Sequence, residues 1–252
     1  MGISKACYKK PFLKQVIARV DFVAPIVDLE KNLPLKLGKV ASAHFPISEP
    51  MEGIAKEFRF DPRGVQETQK PYKQWSFFGK VREKELTISS AFMNLVYTRY
   101  TTYEDMKEHF SIVVDEIADE FPDVRVARFG LRFINVIENI NLTSPTAWNV
   151  YISKDLLGSH EFFAEFPPLT RLVHVAELKE GEIDLRFQYG MPNPDYPAVM
   201  KRPVFILDLD AYVSTAHDLK ESPRYIEQAH KLIQNLFERS ITEKLRARMD
   251  AK

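Results

Sequence analysis

Alternation of apolar and polar residues is the strongest signal in this chain, and it is clearest between Val124 and Glu138. Phe129, Leu131 and Phe133 fall on one face of a strand and Arg128, Gly130 and Arg132 on the other, because successive side chains point to opposite sides. Upstream, Val124 and Val126 have the other parity, which predicts an extra residue, a β-bulge, at Ala127–Arg128. The same reading predicts strands over Phe12–Val23, Ile54–Phe60, Gln74–Val81, Thr170–Leu178, Glu182–Tyr189 and Val204–Val213, and one long bent strand over Leu86–Tyr100. Turn compositions stand between them at Asp61-Pro62-Arg63-Gly64, at Arg82-Glu83-Lys84-Glu85 and at Lys179-Glu180-Gly181, with a loop over Asn139–Pro145.

Apolar residues at three- and four-residue steps predict helices. Weak ones are expected near Leu35–Ala43 and around Lys154–Phe163. A long one begins at Thr101, which has capping-box spacing to Glu104, and stops at Pro122-Asp123. It carries Tyr103, Met106, Phe110, Val113 and Ile117 on one face. A second begins at Ser222-Pro223 and continues as one helix towards Met249, with Ile226, Ala229, Ile233, Ile241 and Leu245 on its apolar face.

These elements repeat. Residues 1–122 and 123–252 each read as a strand, a weak helix, a Phe-Pro stop (Phe45-Pro46 and Phe166-Pro167), three strands and a long amphipathic helix. Tyr103 and Tyr225 open the two long helices, and each precedes a histidine, His109 and His230, within two turns. The expected fold class is therefore α+β: two similar halves, each an antiparallel sheet with a long amphipathic helix packed on one face. If the sheets join, Val124–Glu138 is the element between them.

Composition narrows the functional classes. With 252 residues, 45% of them hydrophobic, the chain can bury a large core. Its net charge of zero gives no overall attraction to nucleic acid or anionic membrane. A single cysteine, Cys7, excludes an intrachain disulfide framework and a cysteine-based zinc site. No stretch is long and apolar enough to span a bilayer, and MGISKACYKKPF lacks the apolar core of a signal peptide, so a cytoplasmic location is expected.

Candidate chemistry lies on polar strand faces. Arg128 and Arg132 can grip a carboxylate or phosphate in bidentate fashion, or pair with acids on a neighbouring strand. Asp208 and Asp210 share one face of their strand and can bind Mg²⁺, or meet those arginines across the sheet. Asp184 and Arg186 share a face of another strand. These six residues are the candidate binding surface. No two of the six histidines have HxH or HxxxH spacing, and nucleophile-elbow, P-loop, dinucleotide-binding and zincin motifs are absent. No catalytic residue, metal ligand or cofactor is assigned.

Taken together, the Phe12–Val16 opening, the Arg128-Phe129-Gly130-Leu131-Arg132-Phe133-Ile134-Asn135 segment, the Phe205–Asp210 strand and the Phe237–Leu245 helix end resemble a sporadically distributed family of uncharacterised prokaryotic proteins of about this length. The resemblance spans nearly the whole chain and implies no activity, cofactor or site residue. Its patchy distribution implies an accessory, defence-associated context. The expectation is a non-enzymatic binding or scaffold protein acting with a protein partner, with homodimerisation through open sheet edges as a further route. The alternatives are a nucleic-acid or nucleotide binder using the arginine-bearing face, and a metal-dependent phosphodiesterase using Asp208 and Asp210.

Overall fold

The computed structural model describes residues 8–61, 64–138, 140, 142, 147–163 and 169–250, and only the backbone of 55–61 and 64–71. Cys7, Pro62-Arg63, Phe166-Pro167-Pro168 and most of the loop over Asn139–Pro145 lie outside the described residues.

The elements run β1 (Leu13–Phe22), α1 (Asp28–Lys31), α2 (Leu35–His44), β2 (Ile47–Asp61), β3 (Gly64–Phe78), β4 (Lys84–Ser89), β5 (Phe92–Tyr97), α3 (Tyr103–Glu120) and β6 (Arg125–Ile137). They continue with α4 (Gly158–Phe162), β7 (Leu172–Glu180), β8 (Ile183–Met191), β9 (Phe205–Val213), β10 (His217–Asp218), α5 (Ser222–Ser240) and α6 (Glu243–Asp250). All the strands belong to one antiparallel sheet of order β2-β3-β4-β5-β1-β6-β9-β8-β7, with β10 paired to β6. The predicted joining strand is β6, which pairs with β1 of the first half and β9 of the second. The opening strand β1 lies beside β5, and β6 lies beside β9, with β1 and β6 adjacent at the middle of the sheet.

One residue row shows how the core is built. Phe77, Leu86, Leu95, Ala18, Leu131, Ala211 and Leu185 are successive cross-strand partners over seven strands, and all are buried. The helices cover this face: Phe110 of α3 and Tyr225 of α5 both contact Phe129 of β6, and the Trp75 indole of β3 donates to the Leu29 carbonyl of α1. Pairs read in opposite order, Tyr103 with His230, Lys107 with Glu227 and Asp119 with Lys220, show that α3 and α5 run antiparallel.

The predicted bulge is present. Asp21 faces Arg128 and Phe22 faces Val126, which leaves Ala127 as the extra residue and resets the parity of β6. Other expectations are corrected. The run Leu86–Tyr100 is not one bent strand but the β4–β5 hairpin, because the Ser89 hydroxyl accepts from the Ala91 and Phe92 amides and turns the chain. The first half accordingly has four strands after its weak helix where three are predicted. The last helix is not continuous: Ile241 is extended, bridges Ile152 and is buried, and the Thr242 hydroxyl caps α6 by accepting from the Leu245 amide while donating to the Val150 carbonyl. The cap of α3 is also shifted by one, to Thr102, whose side chain accepts from the Asp105 amide.

The expected helix over Lys154–Phe163 is a short 3-10 turn at Lys154–Leu156 followed by α4. There His160 is buried beside His174 with neither ring nitrogen hydrogen-bonded, and burial pushes it down to about 4, with His174 adding a smaller push in the same direction. A base depressed in this way stabilises the fold fully above its ordinary value of 6.5, and that stability is lost as pH falls towards 4.

Two outcomes follow. Leu131→Ala, in the middle of the buried row, lowers unfolding free energy by roughly 2–5 kcal/mol in urea titrations. Between pH 6.5 and 4 the wild type loses stability, roughly 2–3 kcal/mol of it from His160, and His160→Phe flattens that part of the profile.

Candidate functional sites on the two faces of the sheet

The six predicted site residues do lie together, on the sheet face away from the helices. Arg186, Asp210 and Arg132 are direct cross-strand neighbours on β8, β9 and β6, and Asp208 lies two residues along β9. Arg132 makes two hydrogen bonds to Asp208, at 2.8 Å through Nε and 2.6 Å through Nη2. Arg128 reaches Asp210 at 3.4 Å, with its guanidinium over the Tyr212 ring. Of the two roles open to Arg128 and Arg132, the structure therefore places them in cross-strand pairing with the two aspartates. Asp184 accepts from Lys179 at 2.8 Å, and Arg186 donates to Gln188 at 3.0 Å.

Gly130 is where the Arg128 side chain crosses the strand: a Cβ there would stand 2.8 Å from the guanidinium. On the adjoining β1, Arg19 pairs with Asp21. The face thus carries four arginines (Arg19, Arg128, Arg132, Arg186) and four aspartates (Asp21, Asp184, Asp208, Asp210). Burial pushes the Asp210 carboxyl above its ordinary value against the opposing pull of Arg128 and Arg132, while the hydrogen bonds to Asp208 hold Arg132 more firmly protonated. This is a charge-balanced layer whose carboxylates already have cationic partners. No cluster of three or more metal-ligating side chains occurs among the described residues.

The helix-covered side holds a cavity of about 400 Å³ that the sequence does not reveal. It lies where the start of α3, the middle of α5 and the N-terminal end of β1 meet over β6. Tyr103 of α3 stacks face to face on His230 of α5, with ring centroids 3.7 Å apart. Tyr100 and Phe133 extend this aromatic wall, and Tyr8 packs edge-on to Phe237 as a second aromatic pair of the lining. Asn135 is buried at the cavity lining and donates to the Leu207 carbonyl.

The polar groups of the cavity divide into satisfied and unsatisfied ones. Glu227 is shared by Lys107 at 3.0 Å and Lys231 at 3.1 Å, and these two lysines hold its carboxyl at about 2. Glu238 accepts from the Tyr8 hydroxyl and from Arg246. By contrast the Tyr103 hydroxyl is buried with no hydrogen-bond partner among the described residues, and burial raises its pKa so that it stays protonated. His230 is pushed down to about 4 by burial, although Glu104 and Glu227 pull the other way, so it is a neutral imidazole at physiological pH. Glu104, exposed beside the mouth, makes no ion pair with another described residue.

The sequence marks Tyr103 as a helix-face residue matched to Tyr225 in the repeat, and His230 as the counterpart of His109. In the structure Tyr103 and His230 meet each other, whereas Tyr225 meets His217 and His109 lies with Tyr97 and His44. Lys84 has only protons to donate, so it donates to His109 Nε2. Nδ1 then donates to the Tyr97 oxygen at 2.5 Å, and the Tyr97 hydroxyl donates to Asp105. That chain is a buried structural network, and it needs His109 neutral, as burial and Lys84 make it.

Removing either partner of the tightest ion pair tests the charge-balanced layer. Arg132→Ala strands the buried Asp208 carboxylate and costs roughly 1–3 kcal/mol, and the Arg132→Ala/Asp208→Ala double variant loses less than the sum of the singles, measured as a double-mutant cycle.

No protein-family model and no curated protein matches the chain.

Proposed function

We propose that this protein is a non-enzymatic ligand-binding accessory protein, with its binding site in the cavity between α3 and α5 rather than on the arginine-bearing face. One observation carries the reading: a cavity of about 400 Å³ is walled by aromatic rings, Tyr103 stacked on His230 among them, and the Tyr103 hydroxyl behind that wall is buried with no hydrogen-bond partner among the described residues. A buried polar group without a partner is costly, and ligand pockets typically combine apolar walls with a few such groups. About 400 Å³ is ample for a small organic molecule.

The cavity is built by both halves, α3 and β1 from one and β6 and α5 from the other, so occupancy couples them. The action with a partner protein is supported by the edge strand β7, which pairs only with β8 among the described residues and on which Val175 and Leu178 are about half exposed. A cytoplasmic, defence-associated setting and kinship with the prokaryotic family bearing the Arg128–Asn135 segment belong to the same proposal. The nucleic-acid alternative is weakened because three of the four face arginines, Arg19, Arg128 and Arg132, are each paired with an aspartate on that face. The phosphodiesterase alternative is weakened because Asp208 and Asp210 are occupied by Arg132 and Arg128.

The test is a thermal-shift screen of a metabolite library against three proteins. A ligand raises Tm of the wild type and of Arg128→Ala/Arg132→Ala, but not of Thr101→Trp, which fills the exposed rim of the cavity. Shifts that persist in Thr101→Trp, or none in any protein, overturn the reading.

A further inference from the structure

The ligand class can be narrowed from the charges and rings around the cavity, and this step rests on the cavity being the binding site. The lining carries Glu104, Lys107, Glu227, Lys231 and Glu238. Both lysines are engaged by Glu227, and Glu238 is engaged by Arg246 and Tyr8. Glu104 is the lining charge that no opposite charge among the described residues neutralises. It lines the same cavity as Tyr103 and His230.

The rings beside it are Tyr103, Tyr100 and Phe133, with Tyr8 and Phe237 completing the wall. Ring faces attract cations through their quadrupole, and a desolvated cage of rings with one carboxylate is the arrangement that recognises ammonium groups. His230, neutral, offers a lone pair and no competing charge. An anion would have to take Lys107 or Lys231 from Glu227 and would meet the free Glu104 carboxylate.

We infer that the cavity binds an organic cation, a primary or quaternary ammonium on an apolar or aromatic body, with its charge between Glu104 and the tyrosine rings and its apolar body against Phe133 and Phe237. The ammonium stays charged and no bond is made or broken.

Isothermal titration calorimetry tests this with choline, benzyltrimethylammonium and phenethylamine, with 3,3-dimethyl-1-butanol as the neutral isostere of choline and AMP as an anionic comparison. At least one cation binds, the neutral isostere binds at least roughly tenfold more weakly, and Glu104→Gln weakens the cation by roughly tenfold. Tyr100→Leu, which keeps apolar volume and removes a ring, weakens it as well. Lys107→Gln, which removes a positive charge from the lining and leaves Glu227 to Lys231 alone, tightens cation binding. Glu104 is exposed, so its substitution leaves the core intact, and far-ultraviolet circular dichroism checks the fold of each variant.

Equal affinity for choline and its isostere, AMP binding lost in Lys107→Gln, or no binding by any cation overturns the inference. The first two outcomes leave the ligand-site reading standing, because the cavity is then occupied by a neutral or anionic molecule.

Discussion

The pairing of β1 with β6 is the constraint on which the rest of the molecule depends. Each half can order its own strands, but its opening strand would then be an edge with unpaired amides and carbonyls. Antiparallel pairing of Leu13–Phe22 with Arg125–Ile137 removes both edges at once and makes one sheet. It also aligns Ala18 with Leu131, so that the buried row passes without a break from Leu95 to Ala211. The bulge at Ala127 makes this possible: without the extra residue, Phe129 and Val126 could not both face the helices.

Joining the halves gives the sheet two faces with different chemistry. On the helix-free face, arginines and aspartates of β1, β6 and β9 pair among themselves, and Asp208 is buried under the guanidinium of Arg132. Pairs of this kind fix register more than they stabilise, since desolvation offsets most of the attraction. On the other face the helices cannot close completely over the seam. Tyr103 and His230 stack at the contact of α3 with α5, and a cavity is left beneath them between the two aromatic groups. The aspartates of the first face all have cationic partners, whereas at the cavity wall the Tyr103 hydroxyl has no partner among the described residues. That difference, rather than the number of charges, separates a structural surface from a candidate site.

Much of the fold was legible from local pattern. Parity located β6, its bulge and both faces, and three-residue spacing located α3 and α5, because amphipathic alternation is set by one-sided burial. The errors fall where a single side chain overrides the pattern. Ser89 turns the β4–β5 hairpin within an unbroken β-rich run, and Ile241 leaves helix to bridge Ile152, more than eighty positions away. The second of these depends on a residue no window contains.

The candidate surface of six residues was legible for a similar reason: its members sit at alternating positions on strands, so strand neighbours share a face. Which arginine meets which aspartate was not, because that depends on the register of β6, β9 and β8. The cavity lay outside reach altogether. Tyr8, Tyr100, Phe133, His230 and Phe237 come from separate parts of the chain, and each reads locally as core or helix surface. The sequence by itself determined strands, helices, the repeat and the polar face, since these follow from periodicity along the chain. Only the tertiary structure decided that the halves share one sheet, that Arg128 and Arg132 are paired with aspartates, and that aromatic rings line a cavity with the Glu104 carboxylate at its mouth. These are relations between distant residues, settled by pairing and packing rather than by local propensity.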